Sequence, residues 1–357
     1  MIEDRFGASA PWSVGVEEEL MILDGETLEL SPSVYELLDV APADLPGDLK
    51  TELFASVVEA ATGICADSAE AGEALRELRR AVSEAAGGLG LKVAAAGSHP
   101  VSAPADQEIA REERYREFVE YAGMSARRQG VSGLHVHVGM PDGETCYRVL
   151  EALLPWLPVV LALSVNSPYL EGAETGLLST RAEVLATLPR SGAPPAFGSY
   201  DGWVAYVERL QASGLALMHD YRSFWWDVRP HPMYGTLEIR MPDQPTAVTR
   251  TEGLVDLLQR LCRHLAENGE ATVDPARRGD YAQNRWAAAR FGPHAELIHP
   301  DGDRVAPVSE LARELFALVG PLGGLDDGCE AERQLEVGRD RGLEAVCSDL
   351  VSRSLAW

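Results

Sequence analysis

Apolar and polar residues alternate with a period of two in three widely separated stretches: Gly15-Val16-Glu17-Glu18-Glu19-Leu20, Leu134-His135-Val136-His137-Val138 and Leu237-Glu238-Ile239-Arg240-Met241. In a pleated strand, side chains two apart share a face. The pattern predicts a strand over Val14–Leu23 with Glu17 and Glu19 on one side and Glu18 on the other. A second strand, over Val131–Met140, turns His135 and His137 the same way. A strand pair within Trp225–Arg240, interrupted by Pro230, Pro232 and Gly235, sets Glu238 beside Arg240. The apolar run Leu91–Ala96 adds a short strand that delivers the loop Gly97-Ser98-His99-Pro100.

Helical spacing takes over elsewhere. Ser68–Ala86 carries Leu75, Leu78 and Val82 on one side and charges on the rest, an amphipathic helix. Helices are also predicted over Glu108–Gln129, Tyr147–Asn166, Trp203–Ser213, Thr249–Glu267, Ser309–Val319 and within Glu330–Ala356, with a flexible Gly-rich loop at Gly320–Gly328. Glu52–Ile64 stays open. Glu52 and Glu59, seven apart, share a face of a helix but not of an unbroken strand. Strands and helices mix without regular alternation, so an α+β architecture around an antiparallel sheet is favoured over a doubly wound one. No linker cuts the chain, and residues 1–357 are read as a single domain.

Composition narrows the function. The formal charge of -25 argues against nucleic acid and anionic membranes as partners, because phosphate backbones demand clustered cations. Lys50 and Lys92 are the only lysines, and neither follows a glycine, so no Gly-Lys-Ser/Thr completes a phosphate loop and a Schiff-base lysine has few candidates. Cys65, Cys146, Cys262, Cys329 and Cys347 form no CxxC pair and no even framework, and Met1–Pro11 lacks the apolar core of a signal peptide. A reducing cytoplasm fits best. The most apolar stretch, Leu153–Val165, is too short for a membrane span, is broken by Pro155 and Pro158, and is read as a buried helix.

Converged glutamates with imidazoles are costly to assemble unless a cation neutralises them, and an oxygen-rich set suits Mg²⁺ or Mn²⁺. The bland alternatives are an acidic edge strand for Glu17 and Glu19, backbone-bonded core histidines for His135 and His137, and surface ion pairs for Arg229 and Arg240. Against them stand the run of three acids, two imidazoles on one face, and the aromatics around Arg229 in Phe224-Trp225-Trp226-Asp227-Val228-Arg229-Pro230. Ser179-Thr180 before Arg181 is explained equally well by helix capping, and Tyr281–Phe291 is better read as a plain helix face than as a base-stacking site.

In chain order, the segments starting at Gly15, Gly133, Ser167-Pro168-Tyr169, Ser179-Thr180-Arg181, Trp226-Asp227-Val228-Arg229-Pro230 and Gly235-Thr236-Leu237-Glu238-Ile239-Arg240, followed by Asn284-Arg285, resemble the bacterial carboxylate-amine ligases of the glutamate-cysteine ligase type 2 family. The resemblance runs from about residue 14 to about 290. It implies a glutamine synthetase-like fold, a curved antiparallel sheet with helices on its outer face and ATP, metal and substrate on its concave face. It also implies that ATP phosphorylates the side-chain carboxylate of glutamate and that the amine of cysteine, or of another acceptor, attacks the acyl phosphate.

By motif position, Glu17, Glu19, Glu52, Glu59, His135 and Glu238 would be metal ligands for Mg²⁺ or Mn²⁺. Arg181, Arg229 and Arg240 would act on glutamate and phosphates. Glu17, Glu19, Glu238, Arg240, Asn284 and Arg285 would meet the nucleotide. Some relatives of the wider superfamily carry Asn where this chain has His137. The partners implied are small molecules (ATP, glutamate, an amine), with a homo-oligomer left open. Two competing readings are a metal-dependent amidohydrolase, which would need no arginine cluster, and a binding protein that keeps the scaffold without turnover.

Overall fold

The computed structural model describes residues 3–214, 221–269, 275, 277–325 and 328–356. Its centre is a seven-stranded sheet built from β1 (Val14–Asp24), β2 (Gly47–Thr51), β3 (Val57–Thr62), β4 (Leu91–Ala94), β5 (Leu134–Gly139), β6 (Val228–His231) and β7 (Thr236–Ile239). The order is β2-β3-β1-β5-β7-β6, with β4 also on β1, and every pairing is antiparallel. The alternating stretches of the sequence are the interior strands β1, β5 and β7.

Register brings the chemistry together. Glu19 pairs with Glu59, and Glu59 with Lys50. Glu17 pairs with His135. One step along, His137 pairs with Glu238, and Glu238 with Arg229. Because each pair shares a face, these rows lay acids, imidazoles and guanidiniums on one side of the sheet.

The other side is apolar: Val16, Leu20, Val136, Leu237 and Ile239 are wholly buried in one core. Helices Ser68–Gly88, Gly143–Leu153 and Val248–Asn268 supply Leu75, Leu78, Leu150, Leu254 and Leu258 to that core. The charge in the middle of this face, Glu18, is buried and matched. Arg79 donates Nε and Nη2 to its two oxygens at 2.7 Å each, and Gln244 and Thr251 donate at 3.0 and 2.7 Å.

Several predicted elements are divided where the sequence carries breakers. Glu108–Gln129 is a helix only over Glu113–Ala122, then turns at Gly123 (φ 57°) into Met124–Arg127. Tyr147–Asn166 becomes Gly143–Leu153, a tighter turn at Leu154–Trp156 and Leu157–Ser164, since Pro155 and Pro158 lack the amide hydrogens a continuous helix needs. Gly143–Ser164 is long and apolar enough to cross a membrane, but 72% of its apolar window is buried inside the protein. Glu330–Ala356 is two helices, Glu330–Arg341 and Leu343–Ser354, parted at Gly342 (φ 83°). Of the Gly-rich loop 320–328, residues 326 and 327 lie outside the described residues. The β6–β7 turn ends at Gly235 (φ 66°), where a Cβ would stand 2.3 Å from the Arg5 carbonyl oxygen.

Candidate active site

The polar face of the sheet lines a cavity of about 510 Å³. Glu17, Glu19, Glu59, His135, His137, Arg229 and Glu238 reach it from the strands, and Arg240 reaches it from just beyond β7. Glu52 joins them from the turn between β2 and β3. The open question over Glu52 and Glu59 is resolved by that turn. The chain breaks after Thr51, so two residues seven apart face one hollow although neither lies on a helix.

His135 Nδ1 lies 3.2 Å from Glu17 Oε2, and His137 Nε2 lies 3.6 Å from Glu17 Oε1. Glu19 accepts from the Gly133 amide at 2.6 Å. Glu238 is clamped by Arg229 Nε and Arg240 Nη1, each at 2.5 Å. Ligand atoms of Glu17, His137 and Glu238 all fall within 4.8 Å of one another. His135, the imidazole expected among the ligands, stands beside this group, and His137 is the one inside it.

Burial of so many acids shifts their titration in opposite directions. Burial, reinforced by Glu19, raises Glu52 to about 7. Burial and Glu17 push Glu59 well above the usual carboxylate range. Burial also opposes ionisation of Glu17 and Glu238, but the two imidazoles hold Glu17 well below its ordinary value, and Arg229 and Arg240 do the same for Glu238. The resident cations therefore satisfy part of the acid set and leave Glu52 and Glu59 without enough positive charge. His137 Nε2 is buried with no hydrogen-bond partner, as is Arg240 Nε. Oxygen donors in excess and an orphaned imidazole nitrogen aimed among them fit a divalent cation.

The three arginines differ in what they have left to give. Arg229 spends Nε and Nη2 on Glu238 and Nη1 on the carbonyls of Arg222 and Phe224, both at 2.8 Å. Arg181 donates to the carbonyl oxygens of Arg240 and Met241 at 2.9 and 3.2 Å. Arg240 keeps a buried donor, Nε, that finds no partner among the described residues.

Asn284 and Arg285 are not among the cavity's lining residues. Both sit on the Arg277–Phe291 helix. Asn284 clasps Ile298, donating to its carbonyl and accepting from its amide at 2.7 Å each. Arg285 donates to Asp227 at 2.9 Å, beside the Tyr281 hydroxyl at 2.7 Å. Asp227 in turn accepts the Arg240 amide on its carbonyl, so the pair braces the strand end that carries Arg240. The polar atoms of Asn284 and Arg285 are thus engaged in the interior, away from this cavity.

The Ser167 and Ser179 hydroxyls both donate to buried Asp243 at 2.7 Å, and Ser179 also caps the Thr180–Leu185 helix, which bears out the capping alternative. Asp243 has no alternation around it and gave no signal in the sequence. Thr236, 2.9 Å from His137 Nδ1, is marked in the sequence only by its place in a strand motif.

Comparison with known proteins now has a geometry to attach to. The profile described as Glutamate-cysteine ligase family 2 matches residues 13–341. The chain belongs to that family. Among similar sequences, "Putative glutamate--cysteine ligase 2-3" of Rubrobacter xylanophilus is 42% identical over 341 residues, covering 95% of this chain and 92% of that protein. "Putative glutamate--cysteine ligase 2" of Herpetosiphon aurantiacus is 33% identical over 362 residues, covering 97% and 94%.

Among solved structures, a glutamate–cysteine ligase from Francisella tularensis in complex with AMP superposes with a TM-score of 0.74 at 15% identity, covering 96% of this chain and 88% of that one. A bifunctional glutathione synthetase from Pasteurella multocida gives 0.68 at 16% identity, covering 96% and 52%. The fold is thus that of the glutamine synthetase-like ligases, as the sequence motifs imply. The family member described here is an ATP-dependent ligase that forms carbon–nitrogen bonds.

Proposed function

We propose that this ligase joins the side-chain carboxylate of glutamate to an amine, with cysteine the first candidate acceptor, through an acyl phosphate. The observation that carries the reading is the shared face. Five glutamates from the sheet and its β2–β3 turn line one cavity with Arg240, which is the charge pattern that phosphoryl transfer to a carboxylate requires. A carboxylate oxygen of glutamate attacks the γ-phosphorus and ADP departs. The acceptor nitrogen then attacks the acyl carbon, phosphate leaves, and the nitrogen gives up a proton.

Glu17, Glu19, Glu52, Glu59, His135 and Glu238 would hold Mg²⁺ or Mn²⁺. A cation held there would supply positive charge to offset that of the phosphate oxygens. Arg240 is the proposed catalytic arginine, since its unpartnered Nε can meet the transferring phosphate or the glutamate carboxylate. Arg229 and Arg181 are positioning residues: one fixes Glu238, the other the backbone that carries Arg240. A cytoplasmic setting is supported by five free cysteines.

The test is ADP release by the purified protein with Mg²⁺ across a panel of carboxylates and amines. ADP formed only when both are present supports the ligation reading. Turnover of an amide without ATP contradicts it and favours the amidohydrolase.

A further inference from the structure

We propose that His137 is itself a metal ligand, through Nε2, with Thr236 as the residue that positions it, and that it tilts the site's preference from Mg²⁺ toward Mn²⁺. The inference deepens the ligase reading, resting on it only for the presence of a cation in the cavity.

Two buried histidines of this chain make the contrast. His99 has both ring nitrogens occupied: Nε2 lies 2.9 Å from the Leu28 carbonyl oxygen, and Nδ1 accepts from the amides of Val101 and Ser102 at 3.2 and 2.9 Å. That is how an imidazole is kept in a protein interior for structure alone. His137 is half served. Nδ1 meets Thr236 Oγ1 at 2.9 Å, while Nε2 is buried without a hydrogen bond and faces Glu17 Oε1 at 3.6 Å.

An orphaned buried polar atom costs about 1–3 kcal/mol unless something fills the gap. Two carboxylates stand around the ring, Glu17 at 3.6 Å from Nε2 and Glu238, and ligand atoms of the three residues lie within 4.8 Å of one another. Among the described residues no other three such ligands gather this closely. Arg229 and Arg240 take three bonds from Glu238, and a carboxylate offers about four lone-pair positions, so a position for a cation remains.

The ring is also held in direction. It meets His231 edge-on at 5.3 Å and 81°, and Tyr234 at 5.5 Å and 69°, so aromatic neighbours flank it. In the tautomer that donates Nδ1–H to Thr236, the Nε2 lone pair is left for a cation, the usual arrangement in which a hydrogen bond to one nitrogen readies the other for a metal. Mg²⁺ prefers an all-oxygen shell, whereas Mn²⁺ tolerates imidazole better, so adding this nitrogen favours Mn²⁺.

The experiment measures metal binding to the substrate-free protein. Free Mn²⁺ is followed by its EPR signal, Mg²⁺ by calorimetry, and coordination by nitrogen couplings in pulsed EPR of bound Mn²⁺. His137→Gln is expected to weaken Mn²⁺ about tenfold or more and Mg²⁺ by less, and Thr236→Val, which keeps the imidazole, to weaken Mn²⁺ about tenfold. His135→Gln should retain a nitrogen coupling that the double variant with His137→Gln loses.

Wild-type Mn²⁺ affinity and coupling in His137→Gln, or an equal loss for both metals, would overturn the proposal. Should His137→Gln fail to fold, the Thr236→Val affinity and the His135→Gln coupling decide it. A protein that binds Mn²⁺ through His137 but releases no ADP would sink the ligation reading and leave this one standing.

Discussion

Strand β1 buries or half-buries consecutive glutamates on opposite faces, and the two faces treat them differently. On the back, Glu18 is enclosed by Arg79, Gln244 and Thr251, and Arg79 goes on to donate to the carbonyls of Thr246 and Ser354. Every oxygen there has its proton donors within the fold. On the front, Glu17 and Glu19 share a cavity with Glu52, Glu59 and Glu238 and have too few cations for the charge they would carry together. A saturated buried acid is a structural member; an unsaturated cluster is a site waiting for a cation and its substrates.

That contrast breaks most sharply on its two glutamates. Glu17→Gln is expected to cut Mg²⁺-dependent ADP release to below about 1% of wild type, with the thermal midpoint nearly unchanged; Glu238→Gln should lose activity as far but also lower the midpoint, because it leaves Arg229 and Arg240 without their buried counter-charge. A well-folded Glu17→Gln with full ADP release would show the front face to be ordinary surface. Arg79→Ala should behave in the opposite way, losing about 3–5 kcal/mol in urea unfolding because it strands a buried carboxylate, while kcat per folded molecule stays close to wild type.

Arginine substitutions sharpen the front face itself. Arg240→Lys removes the fork that keeps one donor spare, and kcat is expected to fall about a hundredfold. Steady-state rates at saturating substrates check this. An Arg240→Lys enzyme with unchanged kcat would move the transferring phosphate away from that side chain.

The smallest effect is on pH. Folded Glu52 keeps its proton to about 7, whereas an unfolded glutamate loses it near 4.5. The folded state therefore binds more protons between those values, and metal-free stability falls as pH rises through that window. Glu52→Gln lacks this penalty, so its melting temperature relative to wild type should climb from pH 5 to pH 8, and Mg²⁺ should shrink the difference. A gap that stays constant across the range would mean Glu52 is ionised throughout.

Much of the front face is legible from periodicity, because β1, β5 and β7 have one apolar face and a period of two is hard to disguise. Glu17, Glu19, His135, His137, Glu238 and the architecture follow from that. Glu52 and Glu59 escape it because the break between β2 and β3 lies in an unremarkable run, Leu53-Phe54-Ala55-Ser56. β2 itself is a polar strand at the sheet's edge, where alternation is weak. Motif resemblance marks Asn284 and Arg285 as important without saying what they touch; only the packing reveals Ile298 and Asp227 as their partners. Period two puts both imidazoles on one face, but their rotamers and neighbours decide which of them enters the Glu17–Glu238 group.

The most direct test of ligation at this face follows an oxygen atom. With glutamate labelled by ¹⁸O in its side-chain carboxylate, ATP, Mg²⁺ and an accepted amine, each turnover should pass one ¹⁸O into the released phosphate and form one ADP. Phosphate that carries no ¹⁸O, with the amide still formed, would contradict an acyl phosphate made in this cavity.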